Sequence, residues 1–420
     1  MDSVHRKINY RLYPSKAQTK KLYEMLKLHR NLYNGALEER IYAYKSRKLS
    51  LSYKQQAKEL TELRADLPEY QDLNAQSEQL TLKRLDLAFK SFFRRIKESA
   101  QKAGFPRFKS SDRFKSFGYP SHGDGWKFEA RKNFINGKLK LSGVGQIKAR
   151  GRGRTQDKEK STRNPGTPKT LQVIKENDQW FASITYARTK PYREHGEEIV
   201  AFDWGVSTFL TFVNEQKTVQ KIANPRTLKK SQTKLKKRQQ VLSRKNKGSK
   251  NRLKAKRKVR KIHLKVANQR VDFLHQVSSN LVKQSIALGS EELSVKSMTV
   301  QGGAYKSGLN KAILDTAPGK FLSLLECKAE EAGIPFILVN TRKLKPTQTC
   351  SNCFNQEKKT LSERIHQCKK CGLTLDRDVN ATRVLLHYLL ISLKTGQEPT
   401  LGVEKGMTLS VKHETPALLS

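Results

Sequence analysis

The sequence predicts an α+β protein of several domains. Three observations carry that expectation. Helix-periodic apolar residues fill much of the first hundred positions, short strands broken by turn signals run from about 106 to 190, and the second half alternates strand and helix. A chain of 420 residues has room for two or three domains with cores of their own. A hydrophobic share of 36%, with 17 Phe and 13 Tyr, suits a folded protein rather than a disordered one.

In order along the chain, VHRKINYRLY (residues 4–13) alternates apolar and polar as a strand does. Ser15 with Gln18 forms a capping-box pattern, and Leu22, Met25, Leu26, Leu32, Tyr33, Leu37, Ile41 and Tyr44 follow at helical spacing. A second helical stretch carries Leu80, Leu85, Phe89, Phe92, Phe93 and Ile96 and should stop near Gly104-Phe105-Pro106. Arg94 and Arg95 lie on its charged face. FPRFKS, KSFGYPS, NGKLKLSGVG, LQVIKEN and WFASITYAR then read as short strands of a small barrel or sandwich, with Asn136-Gly137 as a hairpin turn. Residues 151–169 read as a basic loop. In the second half EEIVAFDWGV and TFLTFVNE read as neighbouring strands, VDFLHQVSSNLVKQSIAL and GKFLSLLECKAEEAG as helices, and IPFILVN as a buried strand. Residues after 395 read as a tail.

The charge balance selects the class of partner. Lys and Arg number 84 against 38 Asp and Glu, a formal net charge of +46. Such a chain repels itself unless a polyanion neutralises it, which points to nucleic acid. Membrane-surface binding calls for a short basic amphipathic helix, whereas here the basicity is spread over the whole chain. It peaks between Gln216 and Val271, where no acidic residue occurs, and a long helical pair lying on a phosphate backbone is expected there. The start, MDSVHRKINYRLYPS, has no apolar core of signal-peptide length, and no window approaches a transmembrane run. The cytoplasm is the expected compartment, with nucleoid association in a bacterium.

Four of the five cysteines form two pairs, Cys350-x-x-Cys353 and Cys368-x-x-Cys371, with fourteen residues between them. Each pair places two sulfurs at the tip of a knuckle, and two knuckles complete a tetrahedron, the spacing of a structural zinc ribbon. Four thiolates leave no open position for catalysis, so this zinc should hold the fold. His366 is a bystander on this reading, and Cys327 reads as an inert core thiol in an amphipathic helix.

Three acids stand out in a chain that otherwise avoids them: Asp203 in IVAFDWG, Glu291 in LGSEELSVKSM, and Asp378 in LDRDVNAT. Each sits at the end of an apolar run or the start of a helical one. Singly, each is equally readable as a turn or cap residue, and Asp376 and Asp378 both suit a helix N-terminus. As a set they offer all-oxygen ligands for two magnesium ions against a phosphodiester, an arrangement that hydrolyses nucleic acids.

DWGVSTFLTF, EELSVKSM, TQTCSNC…CKKCG and LDRDVNAT, in that order, together with YRLYPSKAQ near the start and GFPRFKS after the second helix, resemble the TnpB proteins of insertion sequences. These are RNA-guided endonucleases and relatives of type V CRISPR effectors. The resemblance implies a wedge-type β-barrel from 1–15 and 105–192, a helical recognition lobe inserted at 16–104, an RNase H-like (RuvC) nuclease domain from 193–345 and 374–395, a zinc ribbon at 346–373 and a flexible tail at 396–420. It further implies a guide RNA from the transposon end, a double-stranded DNA target beside a short transposon-adjacent motif, and division of labour between base pairing and protein. Asp203, Glu291 and Asp378 would then be the catalytic acids, Asp378 being preferred to Asp376 because it directly precedes Val-Asn-Ala. Competing readings are an RNA-guided DNA-binding regulator, a transposition accessory factor without cleavage, and a junction resolvase. Two departures from the family pattern stand out: Leu288-Gly289-Ser290 where an apolar strand usually precedes the second acid, and Phe354 where glycine often follows the first cysteine pair.

Overall fold

A computed structural model describes residues 3–98, 103–131, 136–151, 166–189, 193–340, 344–360 and 363–396. The chain divides into two compact units, Met1–Lys190 and Pro191–Ser420.

The first unit opens with β1 (Ser3–Tyr13) and a helical block of α1 (Lys16–Arg47), α2 (Tyr53–Asp66) and α3 (Ala75–Lys97). The capping box forms as expected: Ser15 Oγ accepts from the Gln18 amide at 3.2 Å, and Gln18 Oε1 accepts from the Ser15 amide at 3.0 Å. Ser52 and Gln55 repeat the device at α2. Six strands follow: β2 (Ser116–Tyr119), β3 (Trp126–Ala130), β4 (Asn136–Leu141), β5 (Gly145–Gly151), β6 (Thr167–Glu176) and β7 (Gln179–Thr189). They join β1 in a sheet of order β2-β6-β7-β1-β5-β4-β3. Its edges, β2 and β3, are consecutive in the chain and linked by residues 120–125 alone. A flat sheet of seven strands would hold its edges about 29 Å apart, beyond the roughly 24 Å that such a link can reach. The sheet therefore curls, with Tyr10, Leu12, Trp126, Leu139, Leu141, Ile147 and Ala149 in its core.

Several local expectations are corrected here. FPRFKS is not a strand; 103–110 carry no regular structure. Asn136-Gly137 opens β4 instead of turning the chain, because Gly137 pairs with Ala130 in the ladder. The tight turn lies at Asn177-Asp178 between β6 and β7, where both residues have left-handed φ, +48° and +63°. That is the twist a two-residue hairpin requires, and short Asn and Asp side chains tolerate it. The expected second helical stretch, here α3, ends at Lys97, earlier than expected. Most of the basic loop, 152–165, lies outside the described residues, as does the tail beyond 396.

The second unit is built on a five-stranded mixed sheet of order β10-β9-β8-β11-β12. β8 (Glu198–Trp204), β9 (Thr208–Asn214) and β10 (Val219–Ala223) form an antiparallel meander. β11 (Ser285–Glu291) runs parallel to β8, and β12 (Phe336–Val339) runs parallel to β11. The basic stretch is a helical pair, as expected: α4 (Thr227–Ser243) and α5 (Lys250–Gln284). Asp315 fastens its start, accepting from Thr227 Oγ1 at 3.0 Å, from the Leu228 amide at 2.9 Å and from Arg270. SIAL, expected in the helix, belongs to β11. α6 (Ala304–Thr316) and α7 (Pro318–Ala332) follow, and α7 packs with α5 on one face of the sheet against Phe202, Phe209 and Leu288. α8 (Arg377–Thr395) covers the other face with Val384, Leu385 and Leu389 against Ala201, Val213 and Val339. Cys327 on α7 is exposed, not in the core: it falls on the helix face opposite Phe321 and Leu325.

Leu288-Gly289-Ser290 is a buried strand despite its polarity. A Cβ on Gly289 would stand 2.9 Å from Leu389 Cδ2, so the glycine is what lets α8 approach β11. Between β12 and α8 lies the ribbon, with β13 (Ile365–Gln367) antiparallel to β14 (Thr374–Asp376).

Candidate functional site

Asp203 and Glu291 come from neighbouring parallel strands in the same register. Phe202 pairs with Ser290, so the next residue on each strand lies side by side on the opposite face. That face is the one under α8, since Ala201 two residues before Asp203 and Gly289 two before Glu291 both meet it. The first turn of α8 carries Asp378, and Thr382 one turn on donates to the Thr211 carbonyl at 3.4 Å, opposite Asp203 in the ladder. Three segments far apart in sequence thus deliver carboxylates to one end of the sheet.

The electrostatics follow from that convergence. Burial pushes the Asp203 carboxyl well above the usual range, and the charges of Glu291 and Asp378 push it the same way. The Arg377 guanidinium and a hydrogen bond from the Trp204 amide oppose the shift. Burial raises Glu291 to about 7. The arrangement is a pocket of negative charge that a cation would relieve, and its all-oxygen donors fit magnesium.

Asp376 has different work. Its carboxylate caps α8, accepting from the amides of Asp378 at 3.0 Å and Val379 at 3.2 Å, and Lys221 Nζ on β10 stands 2.9 Å away. Partial burial pulls its pKa upward, but Lys221 and the two amides prevail and hold it below the usual value.

The four cysteines gather as expected, with all sulfurs within 4.8 Å of one another. Cys350 and Cys371 are 3.6 Å apart, and Cys353 and Cys368 3.5 Å. The two knuckles match in backbone: the Phe354 amide donates to the Cys350 carbonyl and the Gly372 amide to the Cys368 carbonyl, each at 3.0 Å. Gly372 has φ +71° and Phe354 φ +55°, so the phenylalanine adopts the conformation that glycine usually supplies. Its ring lies 4.4 Å from that of His387 on α8. A closed set of four thiols in this geometry fits zinc. His366 is buried, with Nδ1 accepting from Lys359 Nζ at 2.8 Å, and takes no part in the thiol set.

Arg377, Asn380 and Lys221 escaped sequence reasoning. Asn380 left one trace, a polar residue on a helix between Val379 and Ala381 that turns out fully buried. Elsewhere, a cavity of about 480 Å³ on β4 and β5 is lined by Arg131, Lys138, Lys148 and Arg150, a basic surface with no acid in its lining. Among the described residues, no helix is long and apolar enough to cross a membrane.

These features define a class. A solved Cas12f1–sgRNA–target DNA complex contains a chain that shares this fold with a TM-score of 0.61, covering 91% of this chain and 99% of that one at 13% identity. Residues 176–301 match the OrfB family of IS605, described as "Probable transposase", and 319–385 match the Cas12f1-like TNB domain. Residues 1–48 match a helix-turn-helix domain, although here they form β1 and one unbroken helix. A Streptomyces pristinaespiralis protein named "Putative RNA-guided DNA endonuclease" is 30% identical over 393 residues, 92% of this chain and 90% of its own length. InsQ of Escherichia coli K12, which carries the same description, is 29% identical over 327 residues, 75% of this chain and 74% of its own. The chain belongs to the TnpB (OrfB) family.

Proposed function

We propose that this protein is an RNA-guided DNA endonuclease that cuts double-stranded DNA beside a short transposon-adjacent motif, with Asp203, Glu291 and Asp378 as its catalytic acids. The observation that carries the reading is the convergence of those three carboxylates at one end of the second unit's sheet. Two relatives whose names state RNA-guided DNA cleavage, and a Cas12f1 fold solved with guide and target, support it. Two Mg2+ ions bound there would activate a water and stabilise the leaving oxygen.

The chain's own residues prepare the site. Asp203 and Glu291, fixed side by side on rigid strands, set two ligand directions with little freedom to collapse together. Asp378 supplies a third from the helix above, and Asp376 holds that helix end in place through its cap and its bond to Lys221. Burial keeps the carboxylates in a low-dielectric setting where each interaction with a developing charge is strengthened. The exposed lysines and arginines of α4 and α5 offer a phosphate-binding surface, and guide RNA and target DNA are the partners that a charge of +46 suits. On this reading, 1–15 with 105–192 and the lobe at 16–104 hold guide and target, while 193–345 with 374–395 cut and 346–373 form a zinc ribbon.

The test is to purify the protein with its RNA, sequence that RNA, and assay a matching DNA target with and without Mg2+. Asp203→Ala should abolish cleavage while leaving RNA and target binding nearly intact. Cutting retained by the purified variant would sink the proposal.

A further inference from the structure

The ribbon and the carboxylates are not independent neighbours. Asn380 sits on the first turn of α8, two residues beyond Asp378, and is fully buried. Its Oδ1 accepts from the Ser351 amide at 2.9 Å, inside the first cysteine knuckle, and its Nδ2 donates to the Thr349 carbonyl at 2.7 Å, just before Cys350. One partner is a donor and the other an acceptor, so the side-chain amide fits one way round only. A buried amide satisfied at both ends fixes the two groups it joins.

A second tie reaches the segment that leads to the other knuckle. The Arg377 amide donates to the Arg364 carbonyl at 2.9 Å, and Arg377 Nη1 donates to the Glu363 carbonyl at 2.8 Å, just before β13, the strand that leads to Cys368. The first knuckle and the segment that leads to the second therefore both hold the same helical turn, and that turn carries Asp378. An ion held by four thiols couples to the folding of the knuckles that supply them. That turn brings Asp378 beside Asp203 and Glu291, whose carboxyls burial raises. A partner that orients a metal ligand typically changes metal affinity by about 10–100-fold when removed.

We propose that Asn380 is a positioning residue that couples the four-thiol site to the carboxylate cluster, so that a metal ion held by the ribbon raises the affinity of the carboxylates for a divalent cation. The inference rests on the carboxylates being a divalent-cation site, as argued above. Linkage makes the coupling reciprocal: a cation at the carboxylates tightens the hold of the ribbon on its own ion.

Mn2+ binding to the full-length protein, followed by the loss of the free-ion electron paramagnetic resonance signal, reads this without any cleavage step. The carboxylate-dependent site is defined as the binding lost in Asp203→Asn. Wild type stripped of zinc by a chelator should bind Mn2+ at that site about tenfold more weakly than the zinc-loaded protein. Asn380→Ala loaded with one equivalent of zinc should match the stripped wild type. Asn380→Asp, which keeps the acceptor for Ser351, should recover part of the loss. Should Asn380→Ala fail to retain zinc, Asn380→Asp is read instead, with Mn2+ affinity expected between those of stripped and zinc-loaded wild type. Zinc-loaded variants that bind Mn2+ like wild type, or a wild type indifferent to stripping, would overturn the coupling. If Asp203→Asn itself changes nothing, the reading of the carboxylates fails instead.

Discussion

Lys221 Nζ on β10 stands 2.9 Å from a carboxylate oxygen of Asp376, and this pair separates the roles of two acids only two residues apart. Asp376 is occupied by a cation and two helix amides, whereas the charge of Asp378 bears on Asp203. Asp378→Asn should lower the cleavage rate by about a thousandfold or more without moving the melting temperature much. Asp376→Ala should cost about 1 kcal/mol of stability through the lost cap and leave most of the rate at a permissive temperature. Cleavage kinetics and thermal melting on the same preparations check both, and equal rate losses would mean the two acids share the chemistry.

The raised carboxyls make the metal-free protein sensitive to pH. Glu291 sits at about 7 because of burial, and Asp203 is raised as well, so the folded state binds these protons more tightly than the unfolded chain. The stability they contribute is present below the ordinary carboxyl range, near pH 4, and is lost as pH rises through 7. Glu291→Gln stays neutral and escapes that loss. Without metal it should be more stable than wild type at pH 8 by roughly 1–3 kcal/mol, with the difference shrinking toward pH 5. Adding Mg2+ at pH 8 should raise the melting temperature of wild type and leave the variant nearly unmoved. A pH-independent difference between the two would contradict this account.

Gly289 gives a packing test. A Cβ there meets Leu389 Cδ2 at 2.9 Å and Leu389 Cβ at 3.1 Å, in a region where β11 and α8 have no slack. Gly289→Val should destabilise by about 1–3 kcal/mol, and Leu389→Ala in the same chain should recover part of it by making room. Denaturant unfolding of the single and double variants measures the coupling; strictly additive effects would show that the contact is not the cause.

Phe354 tests the ribbon. Its left-handed φ of +55° costs about 1 kcal/mol or more for a residue with a bulky side chain, while its ring contact with His387 works in the other direction. Phe354→Gly should keep all four thiols competent to hold one equivalent of zinc. Phe354→Val, β-branched and without the ring, should weaken zinc retention against a competing chelator. Competitive zinc titration of wild type and both variants distinguishes backbone strain from the aromatic contact.

How much of this was legible beforehand differs from place to place. The long helices and β8 and β9 declare themselves in the sequence, and the capping box at Ser15 and Gln18 marks its helix start to the residue. IPFILVN, expected as a buried strand, is instead the edge strand β12, with Leu338 exposed. β11 did not declare itself. SIALGSE lacks a run of β-formers, and it becomes a strand because β8 and β12 hold it on both sides. Asn136-Gly137 misled for a related reason, since the ladder to β3 claims Gly137, whereas the sharp turn at Asn177-Asp178 joins a different pair, β6 and β7. Cys327 looked apolar enough for a core, yet the face of α7 that turns inward is set by Phe321 and Leu325.

By itself the sequence determined the chemical inventory: four thiols at ribbon spacing, acids few enough in a basic chain to be noticed, and a charge that calls for a polyanion. Those are properties of composition and local spacing, and they survive any arrangement of the rest. Only the tertiary structure decided which acids meet, because strand register and the docking of α8 bring together residues that the chain keeps far apart. It also decided that Asp376 caps and pairs while Asp378 joins the cluster, and that Asn380 ties the turn carrying that acid to the cysteine ribbon. A side chain's partners are set by packing in three dimensions, and no local pattern in the sequence encodes them.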